Sequence, residues 1–456
     1  MKIERIELWH VAVPLPAPFR PSWIPGLATT ENRFDVVRLT TASGLEGWSA
    51  APAMATERAG WGALLGSYFL GERADDIANL RQRIREMGYI GHKAGWIEPA
   101  CWDIIGKARN KPVYELLGGK GGDVRLYAST GELKSGEARA EEVAARIEEG
   151  FGAVKLRVHD PTLEQDVAQI RTTREAVGDD VVLGVDANMA WRVAAIADAP
   201  KWDYARALAF CKAAQELGFA WVEEPLPMED YDGLARLASA VDIPIAGGEL
   251  NNHGLPEFKV MLERGSYDWY QPDAVMTGGI AETWAIIQHI QAAGAVYTPH
   301  TWTNGIGFAI NLQLFGATTG RDQRWLEYPL NPPGWTPEGR DGVLTEPWHH
   351  NRGNLSLPTR PGLGFEIDIR ALLRHGRRFY VGTKVRVAVR AVLDRGISEA
   401  RELGAIRDAR LAARTAALDA QIGAGGDPPL EALAALCPAP APSPTPTPTP
   451  DTAATD

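Results

Sequence analysis

Three acidic side chains each end a short apolar stretch, and amphipathic segments of helical length separate them. Asp186 ends Val-Leu-Gly-Val-Asp-Ala-Asn, Glu223 ends Trp-Val-Glu within Trp-Val-Glu-Glu-Pro, and Glu249 ends Ile-Ala-Gly-Gly-Glu. If these stretches are parallel strands of one barrel, their carboxyl ends lie at one face and the three carboxylates converge. Three hard oxygen donors without cysteine or histidine suit Mg²⁺. The alternative is that each acid caps the helix that follows its strand.

An acid and a histidine follow two later strands. Asp273 ends Tyr-Gln-Pro-Asp and His300 ends Tyr-Thr-Pro-His. A carboxylate that orients an imidazole raises its basicity and fixes its tautomer, which makes a general base usable near neutral pH. A structural role for His300 is the alternative, but its pairing with Asp273 beside a metal site favours catalysis.

Two cations and a further acid are predicted to face the same mouth. Lys155 and Arg157 alternate on Lys-Leu-Arg, and the period of two places both on one side of a strand. They could bind a substrate carboxylate and help hold an enolate, or form buried ion pairs with metal ligands. Glu327, in Arg-Trp-Leu-Glu-Tyr-Pro, could be a protonated acid that hydrogen-bonds the enolate or a partner for a cation.

A repeated order of strand, loop and amphipathic helix would position these groups. The predicted strands are Val124–Thr130, Ala153–Val158, Val182–Asn188, Ala220–Pro225, Ile243–Glu249, Asp268–Asp273, Ala295–His300 and Arg324–Pro329. Such a series predicts an α/β fold with a TIM barrel of about 250 residues. A doubly wound sheet alternates in the same way, but no glycine-rich phosphate turn follows the first strand.

The flanking segments differ in character from the barrel. Residues 1–125 are predicted to form an α+β module, with strands and then helices at Arg5–Val13, Phe34–Thr41, Leu45–Ala51, Ala55–Leu70, Ile77–Met87 and Trp96–Arg109. Pro14–Gly26 and Ala50–Met54 are predicted loops that could cover a site. The barrel is assigned to 126–350, a segment returning to the first module to 351–393, with a strand-like piece at Leu355–Asp368, and a helical extension to 394–437. The Pro/Thr-rich tail 438–456 is expected to be disordered.

The composition narrows the class of protein. A net charge of −11 over 456 residues argues against a nucleic-acid partner, which needs a basic face. The cysteines Cys101, Cys211 and Cys437 are too few for a disulfide framework. Met1–His10 alternates apolar and charged residues rather than forming a signal peptide, and no stretch approaches the length of a membrane span. We therefore expect a cytoplasmic protein without a membrane partner.

Taken together, these motifs resemble the mandelate racemase subgroup of the enolase superfamily. The segment from Glu98 to Gly119, Glu-Pro-Ala-Cys-Trp-Asp-Ile-Ile-Gly-Lys onward, resembles the last helix of that family's capping domain, and Pro361–Asp368 resembles its C-terminal return strand. The resemblance covers roughly residues 1–380, with every motif in family order.

The resemblance implies a capping domain over a modified (β/α)₇β barrel, with the substrate between them. In that family Mg²⁺ binds a substrate carboxylate and stabilises the enediolate left when a base removes the α-proton. The two predicted loops match the family's specificity loops in position. Candidate substrate-binding residues are Phe19, Trp23, Trp48, Met54, Asn188 and Trp302. By family analogy the chain is expected to be a homo-oligomer.

The chain departs from the family pattern at Arg157, where a second lysine often acts as a base. A guanidinium stays protonated, so it is a poor proton acceptor and a good anion clamp. One base, His300, then suits dehydration of a sugar acid to a 2-keto-3-deoxy acid better than racemisation. A lactone cycloisomerase or epimerase, and a non-catalytic binding or regulatory protein, remain alternatives. His159 and His253 could donate a proton to the leaving group or be loop residues.

Overall fold

The N-terminal module is built on a meander of three antiparallel strands. The computed structural model describes residues 1–423 and Leu433. The strands are β1 (Ile3–Phe19), β2 (Thr29–Thr41) and β3 (Glu46–Pro52). The first strand runs further than the alternating pattern predicted, because Thr29 pairs with Phe19 and draws the first six residues of the predicted loop Pro14–Gly26 into the sheet.

Four helices follow this sheet in the chain, and two of them, the first and the third, pack on it. They are α1 (Gly62–Phe69), α2 (Ile77–Tyr89), α3 (Glu98–Arg109) and α4 (Val113–Leu116). The Asp76 carboxylate caps α2 by accepting a hydrogen bond from Asn79 N at 3.2 Å. The predicted helix from Ala55 starts only at Gly62, because the preceding residues form turns in which Glu57 accepts the backbone N–H of Met54 and Ala55.

Eight parallel strands form the second body, close to the predicted series. They are β4 (Asp123–Ser129), β5 (Ala153–Arg157), β6 (Val182–Asp186), β7 (Trp221–Glu223), β8 (Ile245–Gly247), β9 (Trp269–Tyr270), β10 (Val296–Tyr297) and β11 (Leu326–Pro329). The helices between them are α5 (Gly136–Glu148), α6 (Leu163–Val177), α7 (Tyr204–Glu216), α8 (Tyr231–Ala238), α9 (Leu255–Arg264), α10 (Ala274–Thr277), α11 (Ile280–Ala292) and α12 (Gly305–Ala317).

The sheet curls into a (β/α)₇β barrel, as predicted. Its strand order is β10-β9-β8-β7-β6-β5-β4-β11, so the last strand lies beside the first. Between β10 and β11 the Thr298 hydroxyl donates to Trp325 O at 3.0 Å. All eight carboxyl ends therefore lie at one face.

The segment after the barrel corrects one prediction. Leu355–Asp368 does return to the first module, where Gly362 O accepts a hydrogen bond from Val113 N at 2.9 Å and Leu363 N donates to Asp103 Oδ1 at 3.0 Å, but it does not form a continuous strand there. The strand that overlaps it is β12 (Asn354–Ser356), which pairs with β4 of the barrel. Pro358 and Pro361 lack N–H donors, which prevents a continuous ladder. After the short helices α13 (Pro337–Arg340) and α14 (Ile369–His375), the return strand is β13 (Gly376–Thr383), antiparallel to β1.

Two helices complete the described chain. They are α15 (Lys384–Arg395) and α16 (Ile397–Gly423), so the helical extension begins ten residues earlier than predicted. The predicted tail 438–456 lies outside the described residues. Among the helices that the structure describes, none is long and apolar enough to cross a membrane.

Candidate active site

The carboxyl ends of the barrel strands bring one lysine to three acids. Lys155 at the end of β5 is fully buried, and its ammonium donates to the carboxylate of Glu223. Lys155 Nζ also lies 2.8 Å from Glu327 Oε1 and 3.6 Å from Asp186 Oδ2. Burial opposes its charge, but Glu223 and Glu327 outweigh it and raise the pKa of Lys155, so this side chain is a fixed cation.

Arg157 is a second fixed cation, two residues along the same strand. Its Nη1 donates to Asp186 Oδ2, and its Nε donates to Thr130 O at 2.7 Å. The guanidinium lies beside two indoles that contact each other, 5.3 Å from the ring centre of Trp23 and 5.7 Å from that of Trp302. Burial would lower the pKa of Arg157, but Asp186 and other acids raise it. The geometry therefore holds Arg157 as a charge and not as a proton acceptor.

His300 and Asp273 form the predicted pair. His300 Nδ1 lies 2.9 Å from Asp273 Oδ2, while Asp273 Oδ1 accepts hydrogen bonds from Asn311 Nδ2 at 2.8 Å and Val275 N at 3.0 Å. These bonds fix the carboxylate and, through it, the ring. The other nitrogen, His300 Nε2, lies 3.7 Å from Glu249 Oε2. Burial would lower the pKa of His300, but Glu249 and Asp273 outweigh it and raise the pKa to about 9.

The acids at the mouth are crowded and deeply buried. Burial raises the pKa of Glu223 to about 7 and also raises that of Glu249. The adjacent Glu224 is buried as well, and burial together with Glu249 and Asp186 raises its pKa well above the ordinary value. Glu224 Oε2 has no hydrogen-bond partner among the described residues. The acidic groups at this face therefore outnumber the cations Lys155, Arg157 and His300, and their burial and crowding oppose full ionisation.

The donor set fits a divalent cation such as Mg²⁺, because it consists of oxygen ligands whose mutual repulsion a dication would relieve. Within the described residues, no three acidic, histidine or cysteine side chains are arranged as a metal-holding group. Asp186 and Glu223 instead turn toward the cations Arg157 and Lys155. Binding of a metal would thus compete with these two ion pairs.

Glu327 resolves one of the alternatives left by the sequence. Its Oε1 accepts from Ser129 Oγ at 2.8 Å and its Oε2 accepts from Thr301 N at 2.6 Å. Burial would raise the pKa of Glu327, but Lys155 and His300 outweigh it and lower the pKa to about 2. Glu327 is therefore an ionised partner of Lys155, and the alternative of a protonated acid is not supported.

Aromatic side chains from both bodies cover the mouth beside Arg157. Phe19 stacks on Trp302 with ring centres 5.5 Å apart, and Trp23 meets Trp302 edge-on at 5.1 Å. The segment that carries Trp23 is fixed to the barrel, because Ser22 Oγ donates to Asn188 Oδ1 at 2.6 Å. Asn188 Oδ1 also lies 3.3 Å from Arg157 Nη1. Four of the predicted substrate-binding residues thus meet at one place.

The other two lie elsewhere. Trp48 packs under Arg38 in the N-terminal sheet and lines a separate recess of about 410 Å³ with Lys107 and Phe365, so its prediction as a pocket residue is corrected. The Trp48 side chain faces its neighbours in the N-terminal sheet, and the alternation of apolar and polar residues alone does not reveal this. Met54 is exposed on the loop after β3, and no described contact joins it to the group.

The two further histidines contribute little to the group. His159 is buried against Ala187 O at 3.4 Å, and burial lowers its pKa to about 4, which leaves it neutral. His253 is exposed in a recess between the two bodies, beside Lys93 and Glu282.

Three polar side chains at the site were missed by the sequence reasoning. Trp191 Nε1 donates to Glu249 Oε1 at 2.8 Å, and Gln271 Nε2 donates to Glu223 Oε2 at 2.7 Å. Ser129 joins Glu327 to Trp302, whose indole donates to Ser129 Oγ at 2.7 Å. Period two places Gln271 on the same side of the predicted strand Asp268–Asp273 as Asp273, so the sequence held a signal for Gln271, whereas nothing in the sequence aims Trp191 at Glu249.

Two family descriptions match most of the chain. Residues 5–118 match "Mandelate racemase / muconate lactonizing enzyme, N-terminal domain", and residues 138–371 match "Enolase C-terminal domain-like". These ranges cover the N-terminal sheet with its helices and the barrel that carries the acids.

The chain is similar to named enzymes and to solved structures. The chain is 32% identical to arabinonate dehydratase from Saccharolobus solfataricus, over 59% of this chain and 68% of that enzyme. It is 34% identical to D-galactarolactone cycloisomerase from Agrobacterium fabrum, over 60% and 71%. The crystal structure of L-talarate dehydratase from a Polaromonas species, complexed with Mg and L-glucarate, superposes with a TM-score of 0.68 at 25% identity, covering 84% of this chain and 98% of that one.

Proposed function

The chain belongs to the mandelate racemase/muconate lactonizing enzyme family of the enolase superfamily, and from that premise we propose that it dehydrates a sugar acid to a 2-keto-3-deoxy acid. Its relatives include sugar-acid dehydratases and cycloisomerases, so an enzyme acting on sugar acids is supported as a class. The choice of dehydration rests on the residues of this chain.

Asp186, Glu223 and Glu249 would hold Mg²⁺, which when bound supplies positive charge to stabilise an enediolate. Gln271 and Trp191 orient two of these carboxylates through hydrogen bonds of 2.7 Å and 2.8 Å. Lys155 and Arg157 bind the substrate carboxylate as fixed cations. Glu327, ionised beside Lys155, holds that ammonium in place.

In its neutral form His300 would act as the base that removes the α-proton. Its pKa of about 9 is raised chiefly by Glu249, a proposed metal ligand, and a dication bound to Glu249 would offset that charge and favour the neutral ring. The observation that carries this role is that the two ring nitrogens have different surroundings. Nδ1 is hydrogen-bonded to Asp273, and Nε2 is available to the substrate. After proton transfer the imidazolium carries the proton, and the same group gives it to the departing β-hydroxyl. The α C–H and β C–O bonds break, water leaves, and the enol product becomes the 2-keto acid.

Arg157 disfavours the two-base reactions of this family. Racemisation and epimerisation need a second acceptor on the opposite face of the enediolate, and a guanidinium that is ion-paired with Asp186 and packed beside two indoles cannot supply it. Cycloisomerisation stays a second candidate, because it also needs one base and the relative from Agrobacterium fabrum is a cycloisomerase.

The test is a screen of the purified protein with Mg²⁺ against mono- and diacid sugars, with detection of 2-keto acid. His300→Asn should lower turnover by about 10²–10⁴-fold, since it removes a positioned general base. The matched control is His289→Asn, a half-buried histidine on α11 bonded to Ala285 O, which should keep wild-type turnover. Lactone consumption without keto acid would move the assignment to cycloisomerisation.

A further inference from the structure

A layer of four aromatic side chains lies beneath the candidate active site, inside the barrel. Each ring precedes a polar residue of the site by two positions, so the two side chains share one side of the strand. The pairs are Tyr127 and Ser129, Trp221 and Glu223, Trp269 and Gln271, and Trp325 and Glu327. Trp221 lies between two of the other rings, with ring centres 5.3 Å from Tyr127 and 5.3 Å from Trp269. The aromatic layer therefore separates the acids from the amino ends of the strands.

A recess of about 480 Å³, the barrel-floor recess, opens into this layer from the face opposite the mouth. Its rim consists of residues from the loops that lead into β10 and β11, within 291–296 and 319–325, and its inner end is lined by the four rings, Gln271 and Thr298. No backbone ladder joins β10 to β11 among the described strands, which leaves the barrel wall open at this place. A volume of about 300–1,000 Å³ is typical of small-molecule sites.

Two buried polar groups of the recess have no hydrogen-bond partner among the described residues. They are the hydroxyl of Tyr127, a residue 3% exposed, and Oε1 of Gln271, a residue 1% exposed. Gln271 Nε2 already donates to Glu223, so the group that Gln271 offers to the recess is an acceptor. A buried polar group without a partner is unfavourable. A molecule that donates to Gln271 and also meets the Tyr127 hydroxyl would satisfy both.

The charges at the recess indicate which molecules fit. Among the described residues, Arg324 is the one charged side chain that lines it. Its guanidinium is already used by backbone oxygens: Nη1 donates to Tyr297 O at 2.5 Å, Nη2 to Thr319 O at 2.6 Å and Nε to Gly320 O at 3.3 Å. An ionised ligand would therefore lose its hydration without gaining a counter-charge. The four rings favour a flat apolar body instead.

We propose that the barrel-floor recess binds a neutral, planar heteroaromatic molecule that carries a ring N–H. The N–H donates to Gln271 Oε1, and the ring packs against the indoles of the aromatic layer. Gln271 and Trp221 both donate to Glu223 Oε2, at 2.7 Å and 3.3 Å, so the bound molecule lies one side chain away from that acid. A sugar acid is excluded by its charge. The recess is thus a second site, distinct from the mouth, and it does not depend on which reaction occurs there.

Isothermal titration calorimetry of the full chain with indole tests this site. Indole is neutral and planar, and its ring N–H is its one hydrogen-bond donor. We expect saturable binding of one indole with a Kd of about 1 mM or lower. The matched probe is 1-methylindole, which keeps the ring and lacks the donor. It should bind about 5-fold or more weakly, because it leaves Gln271 Oε1 unpaired.

Two substitutions test the location of the bound molecule. Ala295 lines the recess immediately before β10, and Ala295→Trp fills the rim with a large side chain. We expect this variant to bind indole at least about 10-fold more weakly. The matched control is Ala293→Trp, at an exposed residue of the same loop that does not line the recess, and it should bind indole as wild type does.

A crystal of the wild-type protein soaked with 5-bromoindole locates the molecule without any substitution. The anomalous signal of bromine should lie among the rings of the aromatic layer. Absence of saturable indole binding would mean that water alone occupies the recess. Equal affinity for indole and 1-methylindole would remove Gln271 as the acceptor. Undiminished binding in Ala295→Trp, or a bromine peak at the mouth beside Arg157, would place the molecule elsewhere. Each of these three results contradicts the proposal.

Discussion

At the scale of single residues, the site depends on which group holds each carboxylate. Lys155 forms an ion pair with Glu223, and Arg157 forms one with Asp186. Two uncharged groups hydrogen-bond the acids as well: Gln271 donates to Glu223, and Trp191 donates to Glu249. The hydrogen bonds from Gln271 and Trp191 orient the acids without neutralising the charge that a metal ion would bind. Removing a group that hydrogen-bonds a metal ligand typically lowers metal affinity by 10–100-fold.

Trp191→Phe tests this orienting role. The change removes the indole N–H that Glu249 Oε1 accepts and keeps an aromatic ring in place. We expect Mg²⁺ to bind about 10-fold or more weakly, as measured by isothermal titration calorimetry.

The control for this prediction is Trp202→Phe. The Trp202 indole nitrogen makes no hydrogen bond among the described residues, so the same substitution there removes none. Its Mg²⁺ affinity should equal that of wild type. Equal affinity in both variants would show that the Trp191 hydrogen bond does not orient a ligand.

At the scale of elements, an acid from the N-terminal module caps a helix of the barrel. Glu98, the first residue of α3, is fully buried and accepts hydrogen bonds from Ile280 N at 2.7 Å and from Trp102 Nε1 at 2.6 Å. The N-cap residue of α11, Gly279, has no side chain to offer its exposed N–H groups. Glu98 supplies the acceptor that these N–H groups lack, and it thereby links the N-terminal module to the barrel.

The Glu98 carboxyl predicts a pH dependence of stability. Burial raises its pKa from 4.5 to about 7, against the hydrogen bonds that favour its ionised form. Between these values the native state keeps a proton that the unfolded chain loses. The unfolding free energy from this group therefore falls as the pH rises from about 4.5 through 7, by up to about 3 kcal/mol.

Chemical denaturation of wild type and Glu98→Gln across pH 4–8 measures this slope. The stability advantage of wild type over the variant should be largest at acidic pH and shrink as the pH passes 7. Glu148→Gln, an exposed acid at the end of α5, should run parallel to wild type. A constant difference between wild type and Glu98→Gln would mean that Glu98 keeps the same charge state in the folded and unfolded chain.

At the scale of the whole molecule, a C-terminal arm, defined as residues 376–423, follows the family match that ends at residue 371, and its strand closes one edge of the N-terminal sheet. Strand β13 pairs with the outer side of β1, where unpaired backbone groups would otherwise face solvent. The arginines of α16 then fix the arm to acids that are themselves buried. The arm is far along the sequence from the barrel groups that carry the proposed chemistry, and no described hydrogen bond or ion pair joins the arm to them.

Arg414→Ala tests that separation. The change leaves the buried Asp76 carboxylate without its bidentate partner and should destabilise docking of the arm by about 1–3 kcal/mol. Hydrogen exchange across residues 397–423 should accelerate, while turnover stays at the wild-type level. Arg401→Ala, on an exposed side of the same helix, is the control and should leave exchange unchanged. Loss of turnover in Arg414→Ala alone would instead couple the arm to the site.

Much of this molecule could be predicted from the sequence because its patterns are local. The repeated order of a short apolar run, a polar loop and an amphipathic helix predicted all eight barrel strands, and parallel strands necessarily bring their carboxyl ends together. Asp186, Glu223 and Glu249, and the pair Asp273 and His300, were found in this way. The return strand was misplaced because its partner, β1, lies more than 350 residues away and pairing over that distance leaves no local pattern.

The sequence by itself determined the barrel, the acids at its mouth and the identity of the cation at Arg157, since each depends on residue type and on a period that neighbours in the chain share. The tertiary structure decided the rest. It turned Trp48 away from the mouth, aimed Trp191 at Glu249, ionised Glu327 beside Lys155 and docked the arm on Glu72 and Asp76. These outcomes depend on distances between groups far apart in the chain and on their burial, which only the folded chain sets.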